Sequence, residues 1–437
     1  MKPFKLMFFG AGSTIFAKNV IGDCLLRFPD VPFEAALFDI DGVRLEESRA
    51  MLTYIAEKYG AKAKIIAYTD RVEALKDADF IVNAIQVGGY ESTMVDFEIP
   101  KKYGLRQTIG DTLGVGGIFR ALRTIPVMEE LAGEIKRFCP KALFLNYVNP
   151  MAILTGYMQR YTKIRTVGLC HSVQVCTEGL LKGLGMEDRL EGATDFIAGI
   201  NHMAWLLDVR DKDGNDLYPE IRKRALEKNA SEKHNDMIRY EYIRNLGYYC
   251  TESSEHNSEY NPFYIKSRYP ELIDRYNIPL DEYPRRCIKQ IADWEEEKKN
   301  ILNDGKVTHE RSREYASYIM EAVVTNQPYQ IGGNVLNTGL IDNLPSDACV
   351  EVPCLVNAHG INPCHVGRLP VQLAAMNQTN INVQLLTIEA ARTRDRNHIY
   401  QAAMLDPHTA AELSVDDIRS MCDELIEAHG EYMAMYR

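Results

Sequence analysis

The stretch Met7-Phe8-Phe9-Gly10-Ala11-Gly12-Ser13-Thr14-Ile15 decides the fold: an apolar run ends in a glycine turn that opens into a helical period. Gly10 allows a tight turn and Gly12 a close backbone approach to a pyrophosphate, while Ser13 and Thr14 stand where the amides of a starting helix would face an anion. Ile15 replaces the third glycine of the dinucleotide fingerprint, the one that serves helix-to-strand packing. The next apolar run ends in Leu37-Phe38-Asp39-Ile40-Asp41, so Asp39 can accept ribose hydroxyls and would repel a 2′-phosphate, which favours NAD over NADP. The ordinary alternative is a plain strand-to-helix turn with a surface aspartate.

Outward from this turn, apolar runs recur at Lys5–Gly10, Glu34–Asp39, Lys64–Thr69, Asp79–Ile85, Ala142–Val148 and Ile164–Cys170, separated by amphipathic stretches. That alternation predicts an α/β class, a Rossmann-like doubly wound parallel sheet over residues 1–175 whose strand ends face one crevice. Beyond it the alternation stops, and residues 176–437 read as a mixed α+β domain. There, Ile197–Val209 reads as a strand running into the turn Lys212-Asp213-Gly214-Asn215. Helices are expected over Arg311–Thr325, Val371–Arg394 and Val415–His429, short strands around Gly332–Asn337 and Val350–Val356, and a water-facing polar loop around Thr251–Asn261.

With 437 residues and 46% hydrophobic content, the chain is long enough for two packed units. A net charge of -11 argues against nucleic acid or an anionic membrane as partner, because both need a basic face. No apolar run approaches the roughly 20 residues of a membrane helix and no secretory leader is evident, so a cytoplasmic protein is expected. The ten cysteines are scattered, which favours reduced thiols over a disulfide framework.

Chemistry-bearing residues collect at the run ends. Cys170 of GLCHSVQ and His202 of AGINHMAW make a borderline-soft metal pair, and a metal would hold the thiol deprotonated. Spacing alone fits equally a buried cysteine with hydrogen-bonded histidines. His171 is disfavoured as a co-ligand, since successive strand residues point to opposite faces unless a turn intervenes. Asn149 of NYVNP can present an amide to the crevice or be a turn residue, and the glycine-rich GDTLGVGG segment precedes a helix carrying Arg120 and Arg123. Tyr260 closes the polar TESSEHNSEY segment, as a surface residue or a proton-transfer group.

Taken together, GAGST, LFDID, GDTLGVGGIFRALRTIP, NYVNPMA, GLCHSVQ, AGINHMAW, TESSEHNSEY, GLIDNLP, QTNINVQ and DPHTAA resemble glycoside hydrolase family 4, the NAD- and metal-dependent glycosidases, and within it most closely the bacterial α-galactosidases. The resemblance covers nearly the whole chain and implies a lactate/malate dehydrogenase-like fold. It implies that Gly10, Gly12, Ser13, Thr14, Ile15 and Asp39 bind NAD, and that Cys170 and His202 hold Mn²⁺ or another divalent metal. It further implies that Asn149 contacts the sugar, that Tyr260 is the base, and that His171 stands where other members have an acid. The implied reaction hydrolyses melibiose- or raffinose-type α-galactosides by hydride removal from C3, deprotonation of C2, elimination at C1, water addition and hydride return. This family is an exception to the paired-carboxylate rule of glycosidases. An α-galacturonidase or α-glucosidase activity, or a plain sugar or 2-hydroxyacid dehydrogenase, is the alternative. A homodimer or homotetramer is expected from the same resemblance.

Overall fold

The computed structural model describes residues 2–304 and 308–437. The apolar runs become strands β1 (Phe4–Phe9), β2 (Phe33–Phe38), β3 (Lys64–Tyr68), β4 (Phe80–Asn83), β5 (Leu143–Asn146) and β6 (Arg165–Gly168). They pair in parallel in the order β3-β2-β1-β4-β5-β6, the dinucleotide-binding order, with β1 at the reversal point. A central strand covered on both faces is apolar nearly throughout, and β1 obeys that rule with only Lys5 half-buried. Phe4 stacks on Phe33 at 5.0 Å and meets Phe28 and Phe80 edge-on. Each such fully buried ring contributes about 1.5–3 kcal/mol, which favours the register that puts Phe4 on this side of the sheet.

The second half adds β7 (Thr194–Ile200), β8 (Met203–Arg210), β9 (Tyr249–Cys250), β10 (Tyr329–Leu336), β11 (Cys349–Asn357) and β12 (Gly360–Pro363). These pair antiparallel and extend the same sheet through β6, in the order β10-β11-β7-β8-β9, with β12 on β11. The junction is narrow, resting on Asn334 opposite Gly168. Position 175, the expected boundary, lies inside the helix His171–Gly183, and one apolar core runs from Phe8 to Val350.

Three expectations are corrected. Ile197–Val209 is not one strand: Ile200 pairs with Met203, so the chain folds back at Asn201-His202 and the run supplies both β7 and β8. The reason is local, since His202 adopts a left-handed backbone (φ 63°) that no continuous strand accommodates. The helix expected from Arg311 begins only at Tyr315. Upstream of it, the Ser312 amide and hydroxyl donate to Asp23 at 2.7 and 2.6 Å, and His309 Nε2 lies 2.8 Å from the same carboxylate, which holds this stretch extended. Finally, Thr251–Asn261 does not face water. It folds as the short helix Ser254–Glu259, with Thr251, Asn257, Ser258 and Tyr260 without exposed surface. Its polar groups bond inward: Glu259 accepts the amides of Thr108 and Gly110 at 2.7 and 2.8 Å, and Asn257 donates to the carbonyls of Thr251 and Ser253.

Candidate active site

At the end of β1 the chain turns on Gly10 with φ 95°, and a Cβ there would lie 2.7 Å from the carbonyl oxygen of Ala84. A Cβ on Gly12 would meet the Asp39 carboxylate at the same distance, and the Gly12 amide donates to Asp39 Oδ2 at 2.6 Å. Asp39 therefore ties the glycine turn to the end of β2. The helix Thr14–Arg27 starts with Ser13 at its cap position. Thr14 is buried and accepts a hydrogen bond from Ser48 at 3.1 Å, so its hydroxyl serves packing. Ile15 is 44% exposed, which removes it from the helix-to-strand contact; the missing third glycine costs the packing nothing here.

Six segments meet at one cavity of about 400 Å³. Ser13 and Phe16 from the glycine turn, Ile85 and Gln86 after β4, Asn149 after β5, Cys170 and His171 after β6, and His202 with Glu252 line it. Among the described residues, one group of side chains is set to hold a metal ion: Cys170, His202 and Glu252, whose ligand atoms all lie within 4.8 Å of one another. Glu252 was not singled out from the sequence. It lies in TESSEHNSEY, and only the fold of that segment across the hairpin turn brings it to Cys170.

Cys170 ends the strand segment and caps the helix that His171 begins, so the alternation argument against His171 does not apply at this turn. The structure brings His171 to the cavity with half its side chain exposed. Its Nε2 lies 2.7 Å from Glu314 Oε2, and this hydrogen bond raises the imidazole above its ordinary pKa. Burial, with the carboxylates of Glu351 and Glu252, pushes the Cys170 thiol far up, so it becomes a thiolate only when a cation sits beside it. Burial opposes ionisation of Glu252, but the His256 and His202 rings bring its carboxyl down to about 2. His256 itself is pushed down to about 4 by burial and is neutral at pH 7.

Tyr260 is packed inside the fold. It has no exposed surface and does not line the cavity; its hydroxyl lies 2.9 Å from His202 Nδ1. Burial, together with Asp111 and Glu259, also raises its pKa well above 10. Asn149 Nδ2 donates to Asp111 Oδ2 at 3.2 Å. Arg120 lines the cavity, donating to the Asn149 carbonyl at 3.2 Å and to the Tyr283 hydroxyl at 3.1 Å. Arg123 is spent elsewhere, in a buried pair with Asp96 at 2.7 Å.

The residues suit the groups implied. The turn has no room for side chains at Gly10 and Gly12, which suits the close approach of an anion, and one thiol, one imidazole and one carboxylate suit a borderline divalent ion.

Comparison with known proteins gives the same assignment along the whole chain. The model of the family 4 glycosyl hydrolases matches residues 5–186, and that of the family's C-terminal domain matches residues 197–409. An α-galactosidase of Bacillus subtilis is 61% identical over 99% of this chain and 100% of its own. Among solved structures, the 6-phospho-β-glucosidase of Thermotoga maritima, with manganese, NAD⁺ and glucose-6-phosphate, superposes with a TM-score of 0.79 at 21% identity, covering 98% of this chain and 99% of that one. Malate dehydrogenase of Plasmodium falciparum, with NADH, reaches 0.50 at 14% identity over 89% of this chain and 99% of its own, so the dehydrogenase-like fold is shared.

Proposed function

The chain belongs to family 4 of the glycosyl hydrolases, and from that membership we propose that it hydrolyses α-galactosides of the melibiose and raffinose type, using NAD and a divalent metal, with Mn²⁺ the first choice. The observation that carries this reading is that Ser13 of the dinucleotide turn and the Cys170, His202 and Glu252 cluster open on one cavity. When bound, NAD accepts and returns a hydride while the metal polarises sugar oxygens as a Lewis acid, an effect worth on the order of several kcal/mol.

The chain's own residues supply the rest. Gly10, Gly12 and Ser13 hold the pyrophosphate end of the dinucleotide, and Asp39 fixes the turn and receives the ribose. Cys170 and His202 hold the metal. Asn149, oriented by Asp111, donates to a sugar hydroxyl. His171, whose imidazole pKa the Glu314 hydrogen bond raises, stands at the cavity as the donor to the leaving oxygen. Tyr260 is the base of this reading, and its hydroxyl, 2.9 Å from His202 Nδ1, also orients that ring. Residues 1–175 thus carry the cofactor turn, and residues 176–437 bring His202 and Glu252 to it. Self-association as a dimer or tetramer and a cytoplasmic location belong to the same reading. No helix among the described residues is long and apolar enough to cross a membrane.

The uronate reading rests on Arg120, an arginine of the cavity wall. Its side chain already serves Asn149 and Tyr283, and Asp111 lies close enough to influence its charge. A panel of nitrophenyl glycosides, each with and without NAD⁺ and Mn²⁺, decides. Cleavage of the α-galactoside only with both additions, without net NADH, is expected. An intact α-galactoside beside a cleaved α-galacturonide or α-glucoside overturns the substrate, and stoichiometric NADH without cleavage overturns the reaction.

A further inference from the structure

We infer that Glu252 is a third protein ligand of the metal, so that the chain holds the dication before any sugar arrives and cancels its charge in place. This rests on the metal reading above and adds to it a ligand and an order of binding.

The geometry is specific about which atoms face the ion. His202 Nδ1 is occupied by the Tyr260 hydroxyl, which leaves Nε2 toward the cluster. Glu252 Oε2 lies 3.4 Å from that Nε2. Its other oxygen, Oε1, accepts the Ser253 amide at 3.0 Å and lies 3.4 Å from His256 Nδ1. One carboxylate oxygen is thus tied to the protein and the other is turned toward Cys170 and His202. Ligand bonds of roughly 2.0–2.3 Å put adjacent ligand atoms roughly 3–4 Å apart, and the Nε2 to Oε2 separation falls in that range without rearrangement. Both His202 and Glu252 hold left-handed backbones, with φ 63° and 64°. Such backbone persists in residues with a side chain only when the surroundings impose it.

The charge count gives the consequence for substrate. A Cys170 thiolate and the Glu252 carboxylate together neutralise a dication. The charge of Arg120 on the cavity wall is opposed by that of Asp111. The sugar end of the cavity then carries no surplus positive charge for a C6 carboxylate or a phosphate, and a neutral hexose loses nothing there.

The test is Mn²⁺ binding to the full-length protein without NAD or sugar, followed by the EPR signal of free aqueous Mn²⁺. Wild type is compared with Cys170→Ser, Glu252→Gln and Glu252→Asp, with thermal melts run in parallel. Wild type should bind. Glu252→Gln should weaken binding at least roughly tenfold, the loss that even an outer-shell partner brings, and Glu252→Asp, which keeps the charge, should lose less. If Glu252→Gln does not melt cooperatively, Glu252→Asp against wild type decides, and unchanged affinity there overturns the inference. Equal binding by wild type and Glu252→Gln, with binding lost in Cys170→Ser, overturns this inference and leaves the metal reading standing. No binding by wild type, or equal binding by Cys170→Ser, overturns both.

Discussion

The dinucleotide turn and the metal cluster are built in opposite ways. Gly10, Gly12, Ser13 and Asp39 sit on one β-α-β unit, and their geometry follows from a strand end, a turn and the next strand paired alongside. Cys170, His202 and Glu252 come from the end of β6, the β7-β8 hairpin turn and the segment after β9, and no local rule joins them. The first is a property of backbone, where side chains are excluded. The second is a property of side chains, held by backbone that is strained at two of the three positions. Mutations should therefore separate the two regions by what they damage.

The largest effect should come from the cluster. Cys170→Ser exchanges a soft ligand for a hydroxyl that does not ionise, and loss of several kcal/mol of Lewis-acid stabilisation corresponds to roughly a thousandfold fall in kcat/KM. The thermal midpoint without metal should barely move, since a hydroxyl can keep the hydrogen bond that the thiol makes with Ser172 at 3.2 Å. A stable but inactive enzyme in paired melting and rate measurements is the expected result, and retained activity would break the contrast.

Gly10→Ala should do the reverse. Its methyl group would press on the Ala84 backbone at 2.7 Å at a positive φ, for a cost of about 1–3 kcal/mol. The expected readout is a lowered melting temperature together with weakened NAD binding by calorimetry, with Mn²⁺ affinity preserved. If metal affinity falls as much as NAD affinity, the two regions are mechanically one.

The smallest effect sharpens the role of His171. Its folded-state pKa is raised by the Glu314 hydrogen bond. Stability from this pair is therefore fully present below the ordinary imidazole pKa of about 6.5 and is lost as pH rises through the higher folded value. Glu314→Gln should lower the ring's titration midpoint, followed by NMR in metal-free protein, and move the alkaline limb of the rate profile to lower pH. Above both midpoints, wild type and variant should be equally stable with respect to this group. An unmoved midpoint would show that Glu314 does not govern His171.

Legibility in the sequence divides along the same line. All six parallel strands are readable: β1, β2, β4 and β5 are buried and apolar nearly throughout, and β3 and β6, partly exposed, show as short runs between turn signals. Where polarity was taken as a sign of water, the reading failed. Glu259 and Asn257 look solvent-facing in TESSEHNSEY, yet they are buried because their partners are backbone groups of distant loops or of the segment itself. The hairpin turn at Asn201-His202 was also missed, since two polar residues inside an apolar run carry no glycine or proline to mark them.

By itself the sequence determined the parallel sheet, the glycine turn with its acidic partner, and the identity of a thiol and an imidazole at element ends. These depend on neighbours in the chain, where periodicity and turn chemistry act. Only the tertiary structure decided that Glu252 joins Cys170 and His202, that the Tyr260 hydroxyl meets His202 Nδ1, and that Arg123 is spent on Asp96 while Arg120 faces the site. Those are distances between side chains from far-apart segments, and they are fixed by how the two halves of the sheet pack, which no local pattern encodes.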